Sequence, residues 1–142
     1  MKNLLKKLQA ETYITLVKTH GYHWNVRGPN FSQLHDLFQN QYEEMFIAVD
    51  DIAERVRAVG DLAPGSFDKF VQISEVEESE EDNITAEEML ESLIKAHEQI
   101  VETAKKLDAR ATEVGDNKTA DLAIERIGVH EKKIWMLKST LS

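Results

Sequence analysis

Only two prolines and six glycines interrupt 142 residues, and where they fall decides most of the architecture. Proline breaks a helix, and glycine just past the last turn stops one. Between these breaks the apolar residues recur at helical spacing. Leu4, Leu5, Leu8, Tyr13, Ile14, Leu16, Val17, Tyr22 and Trp24 mark a first helix from Leu4 to Val26, stopped by Gly28-Pro29-Asn30. Asn30 or Ser32 caps a second helix, whose stripe Phe31, Leu34, Phe38, Met45, Val49, Ile52, Val56 and Val59 ends at Gly60. Ala63-Pro64-Gly65-Ser66 reads as a turn and Phe67 to Ile73 as one or two short helical turns, while Glu75 to Asp82 is acidic and solvated. Thr85-Ala86-Glu87-Glu88 has the form of a capping box. It opens a third helix that turns Met89, Leu93, Ile94, Ile100, Ala104, Leu107 and Ala111 inward and ends near Gly115. A fourth follows Asp116 and carries Leu122, Ile127, Ile134 and Leu137 towards the C-terminus.

Four long helices with a long middle connection predict an all-α, single-domain chain over residues 1–142. The expected architecture is a four-helix bundle with a short helix in its one crossover. No run of apolar residues approaches the roughly 18 that a membrane span needs, and Met1–Ala10 is too polar for a signal peptide. With no cysteine, disulfides, thiolate metal sites and cysteine nucleophiles are excluded. A cytoplasmic protein is the simplest expectation. The net charge of −9 argues against a phosphate-binding surface and suits a protein that attracts cations.

Four potential metal ligands, His23, His35, Asp50 and Glu54, stand in an order that packing does not require. Two imidazoles with two carboxylates suit Fe(II), Mn(II) or Zn(II) better than copper or calcium. His23 and His35 lie six residues either side of Pro29, so a chain reversal there sets both at one height on antiparallel helices. Asp50 and Glu54, four apart, share a helical face. The fifteen residues from His35 to Asp50 span roughly 22 Å of one straight helix. The two pairs therefore cannot meet within one subunit. A two-fold axis crossing the second helix near Tyr42 and Glu43 superposes the His35 end of one copy on the Asp50 end of the other. A di-iron site inside the bundle needs Glu-x-x-His on two helices, and none of the five histidines has Glu three residues before it. The residues alone also admit an ordinary reading, with the histidines hydrogen-bonded at a turn and the carboxylates paired with Arg55 or Arg57.

The run His23-Trp24-Asn25-Val26-Arg27-Gly28-Pro29-Asn30-Phe31, then Leu34-His35, Phe38, Tyr42-Glu43-Glu44 and Asp50-Asp51-Ile52-Ala53-Glu54-Arg55, closely resembles the Dps family of mini-ferritins. Lys133-Ile134-Trp135-Met136-Leu137 is similar to that family's last helix, so the likeness runs through nearly the whole chain. The resemblance implies a ferritin-like bundle and a homo-oligomer, a hollow dodecamer built from two-fold dimers. It implies ferroxidase sites between subunits, with His23 and His35 from one and Asp50 and Glu54 from the other. Iron is bound there in two positions, oxidised preferentially by hydrogen peroxide rather than dioxygen, and stored as ferric mineral. Glu54 is the expected bridging or tightest ligand. Trp24 is expected to quench an escaping oxidant or to pack at the interface.

Two departures modify that expectation. Many members carry an acidic residue one turn after the second histidine; Gln39 stands there, which makes the second iron position weak. The chain also offers only Lys2, Lys6 and Lys7 near its start, so the alternative function, DNA coating, is disfavoured. The segment Gly115 to Asp121 resembles the family's three-fold pore, with Asp116, Asp121 and Glu125 as the acids that draw iron in; a helix N-terminus favours acids as well. His20 is expected beside the iron site or in the core, and His97 and His130 are expected to be structural.

Overall fold

The structure, a computed structural model, describes residues 1–78 and 82–142. Residues 79–81 of the acidic stretch expected to be solvated lie outside them. Five helices follow one another: α1 (Lys2–Asn25), α2 (Phe31–Ala58), α3 (Phe67–Ile73), α4 (Ala86–Val114) and α5 (Asn117–Leu141). Among the described residues there is no strand. The four long helices form the expected bundle, and α3 is the short helix of the crossover.

The helix ends follow from local chemistry. Thr85 and Glu88 form the complete capping box at the start of α4, satisfying two of the donors a helix N-terminus leaves open. Gly115 closes α4 at φ +79, and Gly28 turns the chain between α1 and α2 at φ +124, both in the region that side chains avoid. Asp116 caps α5 by accepting from the Thr119 amide at 3.0 Å. Asn30 precedes α2 but makes no side-chain cap.

Two apolar clusters fill the bundle. One gathers Leu5, Leu8, Ile52, Val56, Ile100 and Leu107 with Phe70 of α3. The other gathers Tyr22, Leu34, Phe38, Leu93 and Leu137 nearer the turn between α1 and α2. Each fully buried Leu, Ile or Phe contributes on the order of 2 kcal/mol. The stripe reading holds well for α4, whereas Phe31 is exposed at the start of α2. The crossover is tied down by Tyr13, stacked on Phe70 at 4.8 Å. Buried Gln9 donates to the Pro64 carbonyl at 2.9 Å. Glu11, fully buried, accepts from the Glu75 amide and from Gln99 and Thr103. Burial pushes the Glu11 carboxyl up against the pull of these donors. No described helix is long and apolar enough to cross a membrane.

Candidate metal centre

The turn through Gly28 brings the end of α1 against the start of α2. His23 and His35 stack with ring centroids 3.7 Å apart. The Nδ1 of His23 lies 2.7 Å from the His35 carbonyl, and the Nδ1 of His35 lies 2.8 Å from the His23 carbonyl. A carbonyl oxygen only accepts, so each Nδ1 carries the proton and donates it. In the neutral form of each ring that fixes the tautomer and makes Nε2 the lone-pair nitrogen, the form in which imidazole binds a metal. The ordinary reading of two hydrogen-bonded histidines at a turn is therefore half right. The hydrogen bonds exist, and they use the nitrogens that ligation does not need.

Asp50 and Glu54 form the second pair, exposed on one face of α2. The Asp50 charge first, then a hydrogen bond with Asp50, raises the Glu54 carboxyl above its ordinary range. Neither arginine named by the ordinary reading serves them. Arg55 pairs with Asp116 at 2.8 Å and donates to Thr119 at 2.9 Å, while Arg57 donates to the Asp61 carbonyl at 3.0 Å. The result is a like-charge pair with no ion-pair partner among the described residues. Among the described residues no three His, Asp or Glu side chains converge to hold a metal within one chain. Between the two pairs, α2 exposes Phe46 and Ile47, each 65% accessible, with Trp24 at 62% beside the histidines. Large apolar side chains exposed in this way are a common mark of an interaction surface.

Around His23 the aromatic residues make a continuous group. His20 lies 3.9 Å from Trp24 and 4.3 Å from Tyr42, and Tyr42 meets His23 edge-on at 5.3 Å. Burial, then the neighbouring His23, lowers the His20 pKa. His20 thus sits beside the candidate site, and Tyr42, which spacing does not single out, closes the group. Gln39 donates to Glu43 at 2.9 Å, bringing a carboxylate one turn beyond the departure noted above.

The expected pore residues divide. Asp121 and Glu125 are exposed on α5. Asp116 is occupied, as helix cap and as the partner of Arg55; burial raises its pKa, but the Thr119 and Arg55 contacts outweigh that and lower it. Between α2, α5 and α4 runs a polar chain that sequence reasoning missed. Glu44 accepts two bonds from Arg126, at 2.6 and 3.0 Å, and one from Lys133 at 2.6 Å. Arg126 in turn meets His130 Nε2 at 2.8 Å, and the Nδ1 atoms of His130 and His97 are 2.8 Å apart. Burial raises the Glu44 pKa, but its two cations overcome this and hold it at about 2.

Comparison with known proteins decides the family. The ferritin-like domain model matches residues 2–142. A protein of Bacillus anthracis described as "DNA protection during starvation protein 2" is 33% identical over 139 residues, 98% of this chain and 94% of that one. The Dps of Thermosynechococcus elongatus superposes with a TM-score of 0.95 at 32% identity, over 99% of this chain and 89% of that one. The chain belongs to the Dps family. A further Dps structure, from Vibrio cholerae, superposes with a TM-score of 0.94 at 28% identity, over 99% of this chain and 88% of that one. It is described as a member of a broad superfamily of ferritin-like diiron-carboxylate proteins. In this Dps the His23–His35 pair forms where the end of α1 meets the start of α2, and Asp50 and Glu54 stand further along α2, so that among the described residues neither candidate pair is completed within the chain.

Proposed function

We propose that this Dps is an iron-detoxifying and iron-storing ferroxidase. Two copies pack α2 against α2 about a two-fold axis near Tyr42 and Glu43. Each of the two resulting sites takes His23 and His35 from one subunit and Asp50 and Glu54 from the other. The reading rests chiefly on the reciprocal His23–His35 bonds, which leave both Nε2 atoms unprotonated beside an exposed apolar strip. Fe(II) is the substrate, held by two neutral imidazoles and two carboxylates, a set that also tolerates Fe(III). Two ferrous ions give one electron each to hydrogen peroxide, whose O–O bond breaks. Two protons are taken up and two waters leave, so no hydroxyl radical is released. Dioxygen is the slower oxidant on this reading. Glu54 is the bridging ligand, and Gln39 leaves the second iron position weaker than the first.

The oxidised iron collects inside a dodecamer, reached through acidic rings of Asp121 and Glu125 in the three-fold pores. Asp116, already paired with Arg55, contributes least there. Trp24, within 3.9 Å of His20 and one residue from His23, is placed to supply an electron to an oxidant that escapes the site. The action is cytoplasmic on this reading. DNA coating is the lesser alternative, because a chain of net charge −9 repels phosphate; absence of gel retardation at low salt would remove it.

The deciding experiment mixes two inactive variants, His23→Ala and Asp50→Ala, after dissociation and reassembly. Sites shared between subunits predict that an equal mixture regains about a quarter of the wild-type sites, since half the dimers are mixed and each of those has one intact site. Ferric absorbance after Fe(II) and peroxide reads the result. Recovery of nothing, with dimers demonstrably mixed, would place all four ligands in one subunit.

A further inference from the structure

One polar residue from each long helix meets at the middle of the bundle. The mutual bonds of His23 and His35 put Thr15, eight residues before the first, level with Glu43, eight after the second. Glu11 bonds to Gln99 and Thr103, which straddle residue 101. Thr15, four residues on from Glu11, is therefore level with His97, four back along the antiparallel α4. His97 bonds to His130. The Arg55–Thr119 bond closes the circuit, because Glu43, twelve residues before Arg55, is level with Glu131, twelve after Thr119. Gln41 is core-facing, 4% exposed, and roughly 3 Å along the axis from that level. Thr15, Gln41, His97 and His130 thus form one layer between the two apolar clusters.

The layer has hydrogen-bonding capacity that the protein does not use. Among the described residues, Thr15 Oγ1, both amide atoms of Gln41 and His97 Nε2 are buried without a partner. Thr12 and Thr19 show what a helical threonine does by default, since their hydroxyls bond the carbonyls of Leu8 and Thr15 at 2.7 Å. Thr15 lacks that bond. The proton inventory follows from Arg126, which can only donate. It makes His130 Nε2 an acceptor, so His130 Nδ1 donates to His97 Nδ1 and the proton of His97 sits on Nε2. The layer therefore offers a donor from His97, a donor and an acceptor from Gln41, and a hydroxyl from Thr15. Neutral donors beside Arg126 do not suit a cation, and the mixture does not suit an anion either.

We propose that this layer is a binding site for internal water, with His97 Nε2–H, Thr15 Oγ1 and the Gln41 amide as its walls. A buried water needs two to four polar partners, and this layer supplies them from three helices. The bound water bridges α1, α2 and α4 and continues the chain that runs from Glu44 through Arg126 and His130 to His97. It is separate from the ferroxidase ligands and independent of the proposed iron chemistry.

The test is the melting temperature of the assembled protein for Gln41→Met, which keeps the side-chain length and removes both amide atoms. If the site holds water, the substitution breaks bonds, strands His97 Nε2–H, and lowers the melting temperature by several degrees. If the layer is dry, it removes two orphaned polar atoms and the melting temperature rises or holds, which overturns the proposal. Should Gln41→Met fail to assemble, Thr15→Val offers the same opposition of signs. A high-resolution crystal structure gives an independent reading. Density within hydrogen-bond distance of both His97 Nε2 and Gln41 supports the site, and a direct side-chain contact there, or no density, rejects it.

Discussion

Two pairs of histidines in this molecule do opposite things with the same ring. His23 and His35 spend their Nδ1 protons on each other's backbone carbonyl and keep their Nε2 lone pairs, at the edge of an exposed face. His97 and His130 spend their Nδ1 atoms on each other and are fully buried, and His130 also takes an Arg126 donor on Nε2. Burial first, then the nearby cations, pushes His97 down to about 3 and His130 well below the ordinary histidine value. The carboxylates divide likewise. Glu54 stands exposed beside another acid, with no ion-pair partner among the described residues, while Glu44 is clamped by Arg126 and Lys133. An open coordination site is thus a group whose hydrogen-bonding capacity the fold leaves unspent. A structural one is a group whose partners are all inside the subunit.

Substitutions at the two regions should therefore separate activity from stability. Glu54→Ala, at the open region, is expected to lower the rate of Fe(II) oxidation by about 100-fold or more, with no loss of thermal stability beyond a few tenths of a kcal/mol. Stopped-flow ferric absorbance and a thermal melt on the same sample read both. A comparable fall in stability would erase the distinction. Arg126→Met, at the closed region, is expected to do the reverse. It leaves Glu44 with Lys133 alone and His130 Nε2 without its donor, at a cost on the order of 3 kcal/mol, while oxidation per assembled site is unchanged. Chemical denaturation against the initial oxidation rate checks this.

The smallest effect is a difference in acid response. His97 and His130 titrate near 6.5 when unfolded and far lower when folded, so the unfolded chain binds more protons in acid. Their contribution is whole above 6.5 and is lost as pH falls from there towards 3. Glu44 adds its loss lower, between 4.5 and about 2, because its folded pKa is depressed. At the open region Glu54, its pKa raised from 4.5 chiefly by Asp50, takes up a proton before an ordinary Glu does, and on the proposed function that proton competes with iron. Unfolding midpoints and Fe(II) binding, followed across the same pH series, should show His97→Gln flattening only the stability curve.

Much of this was legible from the chain. The helix breaks at Gly28-Pro29 and Gly115 and the capping box at Thr85 were readable because a turn or a cap is made by residues adjacent in sequence. The two pairs proposed as ligands were readable for the same reason, since His23–His35 is set by one turn and Asp50–Glu54 by one turn of helix. Helix rise alone keeps the two pairs apart within one subunit. By contrast, nothing near Glu44 announces Arg126, 82 residues away, and nothing near His97 announces His130, 33 away. Asp116 shows the limit from the other side. Its place before α5 predicted an acid at a helix start, but nothing near it in sequence announces its pairing with Arg55 from α2.

The sequence by itself determined the helices, their order and the two local pairs, His23 with His35 and Asp50 with Glu54, because those depend on periodicity and on neighbours within a turn or two. Tertiary structure alone decided which tautomer the histidines adopt, which carboxylates keep an unpaired charge, and that a polar layer crosses the middle of the core. The physical reason is that proton position and charge pairing depend on the atoms across the helix–helix gap. The chain brings those together only when it folds.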